Sequence, residues 1–402
     1  MKIKIEKGIA KGTLTAPPSK SMAHRLLICA AMAEGESIIR SVSSCEDVMA
    51  TLDCLRALGV DCTEVGGDVI INGKHPSKMT PNAPLVARES GSTLRFMIPI
   101  ALSTDKSAVF YGSSGLMQRP MSVYEDLAKQ KGLTYLNDGN SIIVKGKLPG
   151  GDYTLPGNVS SQFISGLLFA LPCADKDSYI KILPPIESRS YIGLTMSALE
   201  SFGIRATWID DNTIFVPANQ KYIPCDITVE GDYSGAAFPD AFNLFSGEVK
   251  LLGLNEESLQ GDSVYRKYYD MLTRGVPTIH IGDCPDLGPI MFAIAAAKNG
   301  GIFTGTKRLK IKESDRARAM AEELKKFGTA VSVYDDTVVI YPKDFHKPDE
   351  CLSGHNDHRI VMSLSVLLTL TGGEIEGAEA VSKSYPAFFE DLVSLGIEAK
   401  EI

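Results

Sequence analysis

The chain has a single tryptophan and six histidines in 402 residues, and its eight cysteines (29, 45, 54, 62, 173, 225, 284 and 351) form no Cys-x-x-Cys pair. That spacing supplies neither a zinc-ribbon nor a dithiol redox motif, so the thiols are expected to be reduced core or surface residues. Long apolar runs are also missing. Ile360 to Leu370 and Pro289 to Ala297 fall short of the ~20 residues a bilayer span needs. Met1-Lys-Ile-Lys-Ile-Glu alternates like a strand and carries no apolar signal region, which points to a cytoplasmic protein. Positive charge is in short supply as well: the net charge is −8, which argues against nucleic acid or an anionic membrane as partner. An anionic ligand would therefore require cations gathered locally.

What is present is an ordinary globular composition, 44% apolar and 22% charged, on a length that suits two domains. It is also repetitive. A helix-ending phrase, Leu-x-x-x-Gly-apolar with small variations, places glycines at 59, 132, 203, 275, 328 and 396, at intervals of 73, 71, 72, 53 and 68. A second helix start recurs near Ser21, Ser92, Gln162, Ser234, Leu287 and His358, at intervals of 71, 70, 72, 53 and 71. After Gly59, Gly132, Gly203 and Gly328 come alternating β-branched segments around tight turns, such as Val65-Gly-Gly-Asp-Val-Ile-Ile and Tyr334-Asp-Asp-Thr-Val-Val-Ile, which predict β-hairpins. The spacing predicts six α/β repeats of about seventy residues. The short interval falls between Gly275 and Leu287, so the fourth repeat is expected to lack its terminal hairpin. Six repeats divide into two lobes of three, with crossings near Gly12 and Tyr222-Ile-Pro-Cys-Asp. The first strand belongs to either lobe on spacing alone.

Pro17-Pro-Ser-Lys-Ser-Met-Ala-His-Arg runs into the first of these helices. Prolines and N-cap serines open it, the first turn offers N–H groups and the positive dipole end, and Lys20 and Arg25 add two charges. That combination would hold a phosphate or carboxylate. A single stretch of this kind is more often a solvated, capped helix, and only its repetition favours the functional reading. His355 and His358 stand at metal-ligand spacing, but no third ligand accompanies them and no metal site is expected.

Together Pro17-Pro-Ser-Lys-Ser-Met-Ala-His-Arg, Gly91-Ser-Thr-Leu-Arg, Gln118-Arg-Pro-Met, Ser160-Ser-Gln-Phe, Lys312-Glu-Ser-Asp-Arg and Asn356-Asp-His-Arg resemble the 5-enolpyruvylshikimate-3-phosphate synthase family, nearly end to end. The resemblance implies a two-lobed inside-out α/β barrel of βαβαββ repeats, three per lobe. It implies residues 13–224 as one lobe, 1–12 with 225–402 as the other, and an active site in the cleft between them. The implied reaction moves the enolpyruvyl group of phosphoenolpyruvate to the 5-hydroxyl of shikimate 3-phosphate and releases phosphate, in a monomer without metal or organic cofactor. Glyphosate would be an inhibitor.

By the same resemblance Lys20, Ser21, Arg25, Ser160, Ser161, Gln162, Ser188, Asp286 and Lys312 would contact shikimate 3-phosphate, with Tyr191 beside its ring. Lys20, Gly91, Arg119, Gln162, Arg316, Arg359 and Lys383 would hold phosphoenolpyruvate, with His358 near it. Asp286 would be the base and Glu313 the acid, assisted by Lys20. Glu89 before Ser-Gly-Ser, Arg308 ahead of Lys312, and the missing hairpin depart from the family pattern. The enolpyruvyl transferase that acts on a UDP-amino sugar is a rival reading. It typically has Lys-Asn at the first helix and a catalytic loop cysteine, whereas this chain has Lys20-Ser21 and no cysteine between Cys62 and Cys173. A phosphate-ester sensor that has lost the chemistry is another, and the retention of Lys20, Asp286, Glu313 and Arg316 argues against it.

Overall fold

A computed structural model describes residues 1–342 and 344–402. The chain forms two compact units, one of Met1–Ser19 with Glu230–Ile402 and one of Lys20–Val229. Both divisions fall later than the 12 and 224 expected from the motifs.

In the unit of residues 20–229, each of three four-stranded sheets has the same order. Gly151–Pro156 lies parallel to Ser178–Leu183, which pairs antiparallel with Thr213–Val216, which pairs in turn with Thr207–Trp208. The helix Ser161–Ala170 connects the two parallel strands and Arg189–Ser201 precedes the hairpin. Five sheets of the described residues have four strands and one has two. The two-stranded one, Lys11–Thr15 with Glu248–Leu252, belongs to the fourth repeat and lacks the hairpin, as the interval predicts. After Gly275 the chain makes one strand, Thr278–His280, and it pairs forward with Gly301–Thr304 of the next repeat.

Besides that two-stranded sheet, two more are completed from afar in sequence. Asp226–Thr228 adds the parallel strand to Gly35–Arg40 of the first repeat. Lys2–Ile5 pairs with both Gly373–Glu376 and Ala399–Glu401, taking the place of a hairpin strand in the last repeat. The first strand therefore belongs with the C-terminal repeats.

Six helices start within a residue of the positions predicted by the second series: Lys20–Met32, Gly91–Leu102, Ser161–Ala170, Tyr233–Ala241, Gly288–Ala297 and His358–Thr371. They are apolar nearly all round and lie in the two cores, as helices without a polar face must. The second helix of each repeat ends on the predicted glycine. Gly132 caps Ser122–Lys131 at φ 66°, the left-handed conformation that costs a Cβ-bearing residue most. Gly275, in the repeat without a hairpin, is extended at φ 169°.

Within residues 20–229 the Gly91–Leu102 and Ser161–Ala170 helices approach closely at Gly166, where a Cβ would stand 2.5 Å from the Arg95 carbonyl oxygen and 2.2 Å from the Tyr124 hydroxyl. Pro99 has no N–H to give that carbonyl four residues back. Tyr124 Oη donates to it instead at 2.8 Å. The tyrosine thus repairs the break the proline makes.

Candidate active site

In the unit of residues 20–229, Lys20 opens its helix and donates to Asp47 Oδ2 at 2.8 Å. One turn on, Arg25 is buried with its charge facing neutral oxygens: Nε donates to Thr195 Oγ1 at 2.8 Å, and the terminal nitrogens to the carbonyls of Ser21 (2.6 Å) and Tyr191 (3.0 Å). Burial pushes its pKa down to about 10. A buried guanidinium met by neutral oxygens could receive an anion. Ser188, buried and left-handed at φ 55°, heads the Arg189–Ser201 helix that carries Tyr191 and Thr195.

A hydrogen-bond chain locks two of these helix starts together through Thr51 on the helix Glu46–Ala57. His24 Nδ1 and Thr51 Oγ1 are 2.7 Å apart, Thr51 and Thr93 hydroxyls 2.7 Å, and Thr93 Oγ1 reaches Ser90 Oγ at 2.8 Å. Ser90 in turn caps Gly91–Leu102 through the Thr93 N–H. Burial, then Lys20 and Arg25, hold the His24 pKa well below 6.5, so the imidazole is neutral at pH 7.

Gly91 sits where three polar groups converge. A Cβ there would lie 2.8 Å from an Arg95 terminal nitrogen, 3.1 Å from one of Arg119 and 3.7 Å from Gln162 Oε1. Gln162 accepts from Arg95 at 2.7 Å and donates to Ser92 Oγ at 2.8 Å. Ser160 caps the next helix through the Gln162 N–H, with Ser161 as its buried first residue. Glu89 is half-buried just ahead of this group.

The other unit carries both candidate acid–base carboxylates. Asp286 lies on the 3-10 turn Pro285–Leu287 before Gly288–Ala297 and meets three cations: Lys312 at 3.1 Å, Arg316 at 2.8 Å and Arg359 at 3.5 Å. Arg316, 1% exposed, also donates to Glu313 Oε2 at 2.6 Å and to Asp357 at 2.8 and 3.3 Å. These bonds use four of its five N–H groups. Arg359 points one terminal nitrogen at the Ser234 carbonyl at 3.2 Å, and its Nε is buried without a partner. Lys383 donates to Asn356 O at 2.7 Å and Oδ1 at 2.8 Å. Burial lowers the Lys312 pKa, and Asp286 opposes that shift. His358 is buried beside Asp357, its Nδ1 4.0 Å from the carboxylate. Arg308 is buried in the 3-10 turn Lys307–Ile311.

The structure thus joins Ser21 to Arg25, Gly91 to Arg119 and Gln162, and Asp286 and Glu313 to Arg316. Sequence reasoning missed Asp47, Arg95 and Asp357. Asp357 left a signal, since an Asp before an apolar helix is an N-cap, and it does accept from the Arg359 N–H at 2.9 Å. Asp47 and Arg95 act through partners 27 and 67 residues away, which no local pattern reveals. Among the described residues no group of three or more His, Cys, Asp and Glu is arranged to hold a metal ion, and His355 turns to Glu323 instead. All eight cysteines are unpaired, and no helix of the described residues is long and apolar enough to cross a membrane.

Six sheets in two units, with cations and carboxylates at the helix starts, define the enolpyruvyl transferase type of fold. Solved structures share it. An EPSP synthase from Acinetobacter baumannii superimposes with a TM-score of 0.80 over the whole of both chains at 24% identity, and the enolpyruvyl transferase NikO from Streptomyces tendae with 0.77 over 99% and 98% at 14% identity. The family model of EPSP synthase (3-phosphoshikimate 1-carboxyvinyltransferase) matches residues 6–276 and 271–392. Proteins named 3-phosphoshikimate 1-carboxyvinyltransferase from Clostridium perfringens and Clostridium kluyveri are each 37% identical to the chain, covering 96% and 97% of it and 96% of their own length. The chain belongs to the EPSP synthase family.

Proposed function

We propose that this chain transfers the enolpyruvyl group of phosphoenolpyruvate to the 5-hydroxyl of shikimate 3-phosphate, with release of phosphate. The observation that carries the reading is the Arg316 guanidinium, which holds Asp286 and Glu313 at 2.8 and 2.6 Å and so keeps a base and an acid together in one cationic site. Glu313 protonates the methylene carbon of phosphoenolpyruvate, which makes the adjacent carbon electrophilic. Asp286 takes the proton of the 5-hydroxyl as its oxygen attacks that carbon, giving a tetrahedral ketal phosphate. In the second half the Glu313 carboxylate removes a methyl proton while the phosphate departs, and the double bond is restored. Lys20 supports the departing phosphate.

Arg25, Ser21, Ser160, Ser161, Gln162, Ser188 and Lys312 hold shikimate 3-phosphate in this reading. The buried charge of Arg25, met by neutral oxygens, supports it. Gly91, Arg119, Gln162, Arg316, Arg359 and Lys383 hold phosphoenolpyruvate, supported by the unused Nε of Arg359 and the bare backbone at Gly91. Free cysteines suit a reducing cytoplasm, and a monomer suffices because all these groups come from one chain. The deciding measurement is phosphate release with both substrates. It is expected only when shikimate 3-phosphate and phosphoenolpyruvate are present together, and release with a UDP-amino sugar in place of shikimate 3-phosphate would favour the rival transferase.

A further inference from the structure

The turn that presents Asn356 to Lys383 has an uncommon backbone. His355 at φ 47° and Asn356 at φ 51° are consecutive left-handed residues, and neither is glycine. A left-handed residue with a Cβ costs up to about 1–2 kcal/mol, less for asparagine and histidine than for most, so neighbouring contacts help to hold the shape. Those contacts converge on one carboxylate. Glu323, 2% exposed on the helix Arg316–Lys326, accepts from His355 Nε2 at 3.0 Å, from the Ser353 N–H at 2.9 Å and from Lys326 Nζ at 3.0 and 3.1 Å. Lys326 adds a bond to the Cys351 carbonyl at 3.2 Å. The opposite side of the turn bears on the site: Asn356 accepts twice from Lys383, and Asp357 caps the helix of Arg359 while holding Arg316.

We infer that Glu323 and His355 are positioning residues that set the left-handed turn and, through Asn356, aim the Lys383 ammonium. The inference rests on Lys383 holding phosphoenolpyruvate in the proposed reaction. Neither residue touches substrate, so the pair should govern affinity for that one anion and leave the chemical step alone. It also adds a pH dependence. The charges facing His355 are Glu323, Glu322 at 3.9 Å and Lys326, all on one helix. The hydrogen bond to Glu323 raises the imidazole pKa above 6.5, while burial and Lys326 oppose the rise. Burial pushes the Glu323 carboxyl up, but His355, the Ser353 N–H and Lys326 outweigh it and hold it below the ordinary 4.5. The charged pair is therefore complete below pH 6.5 while Glu323 remains ionised, and it fades as pH rises through the raised histidine value.

The test is steady-state kinetics of His355→Asn and Glu323→Gln at about pH 6 and about pH 9, with Lys383→Met alongside. Asparagine keeps the tolerance for a left-handed backbone but cannot reach Glu323. Glutamine keeps the shape and loses the charge. Losing a buried charged hydrogen bond should raise KM for phosphoenolpyruvate about tenfold at the lower pH, and less at the higher, with kcat within about twofold. KM for shikimate 3-phosphate should not move. Because each variant is compared with the parent at the same pH, ionisation of the substrate cancels. If either variant lowers Tm but leaves KM for phosphoenolpyruvate unchanged while Lys383→Met raises it, the pair is structural only and the inference is overturned. If Lys383→Met leaves that KM unchanged, the assignment of Lys383 fails instead. Glu323→Gln keeps the test open should His355→Asn not fold.

Discussion

Arg316 spends four of its five N–H groups on Asp286, Glu313 and Asp357, so its first task is to hold carboxylates at fixed distances from one another. Removing the proton of one should then hurt turnover more than binding. Glu313→Gln keeps the shape and the acceptor for Arg316 but has no proton to transfer to carbon. We expect kcat to fall by a factor of about 10² or more with both KM values within a few fold, and Asp286→Asn to behave alike. A change confined to KM would remove either residue from the acid–base role. A second expectation concerns His24, whose folded pKa lies well below its unfolded 6.5 because burial, Lys20 and Arg25 all disfavour the charge. The unfolded chain takes up that proton first, so stability falls as pH drops below 6.5, by up to about 1.4 kcal/mol per pH unit. His24→Gln keeps a hydrogen-bonding group for Thr51 and does not titrate, so its denaturation midpoint between pH 7 and 5 should fall less than the parent's. An equal fall would show that other groups set the acid limb. At this scale the sequence was readable where a residue stands in its own motif, as with Lys312, Glu313 and Arg316. It was silent where the partner is remote: Asp47 under Lys20, Arg95 on Gln162, Glu323 under His355.

Among the elements, the buried helices owe their starts and their crowded middles to different residues. Glycines and caps marked the ends in sequence, and hairpins followed from alternation around tight turns, because both are local backbone demands. What spacing left open was the long-range pairing: that Lys2–Ile5 enters the last sheet and Asp226–Thr228 the first depends on tertiary contact alone. The same holds for the Gly91–Leu102 and Ser161–Ala170 contact. Nothing local says that Gly166 must lack a side chain, yet a methyl there meets a carbonyl oxygen at 2.5 Å and the Tyr124 hydroxyl at 2.2 Å. Backbone cannot yield as a flexible side chain can. Gly166→Ala should destabilise residues 20–229 by about 1–3 kcal/mol in urea, and Tyr124→Phe, which leaves the Arg95 carbonyl without its donor, by a similar amount. The double variant should cost less than the sum, since both disrupt one contact. A stability loss from Gly166→Ala under about 0.5 kcal/mol would show that the helices separate at little cost.

At the scale of the molecule, the groups of the proposed reaction are divided. Lys20, Arg25, Gly91, Arg119 and Gln162 belong to residues 20–229, and Asp286, Lys312, Glu313, Arg316, Arg359 and Lys383 to the other unit. Neither unit alone carries both an acid–base pair and the full set of anion-holding groups, so the proposed reaction draws on residues of both. Gln162 serves both substrates in this reading, and ordering it costs free energy that the first ligand bears and the second does not. Shikimate 3-phosphate should therefore tighten binding of phosphoenolpyruvate, and linkage requires the reverse effect to be equal. A coupling of about 1–3 kcal/mol is typical, which is roughly a 5- to 150-fold change in Kd. Calorimetric titration of Glu313→Gln, which should bind both substrates without turning them over, measures each Kd with and without a saturating amount of the other. Equal values in the two titrations would mean that the substrates bind independently, and the shared ordering would have to be abandoned.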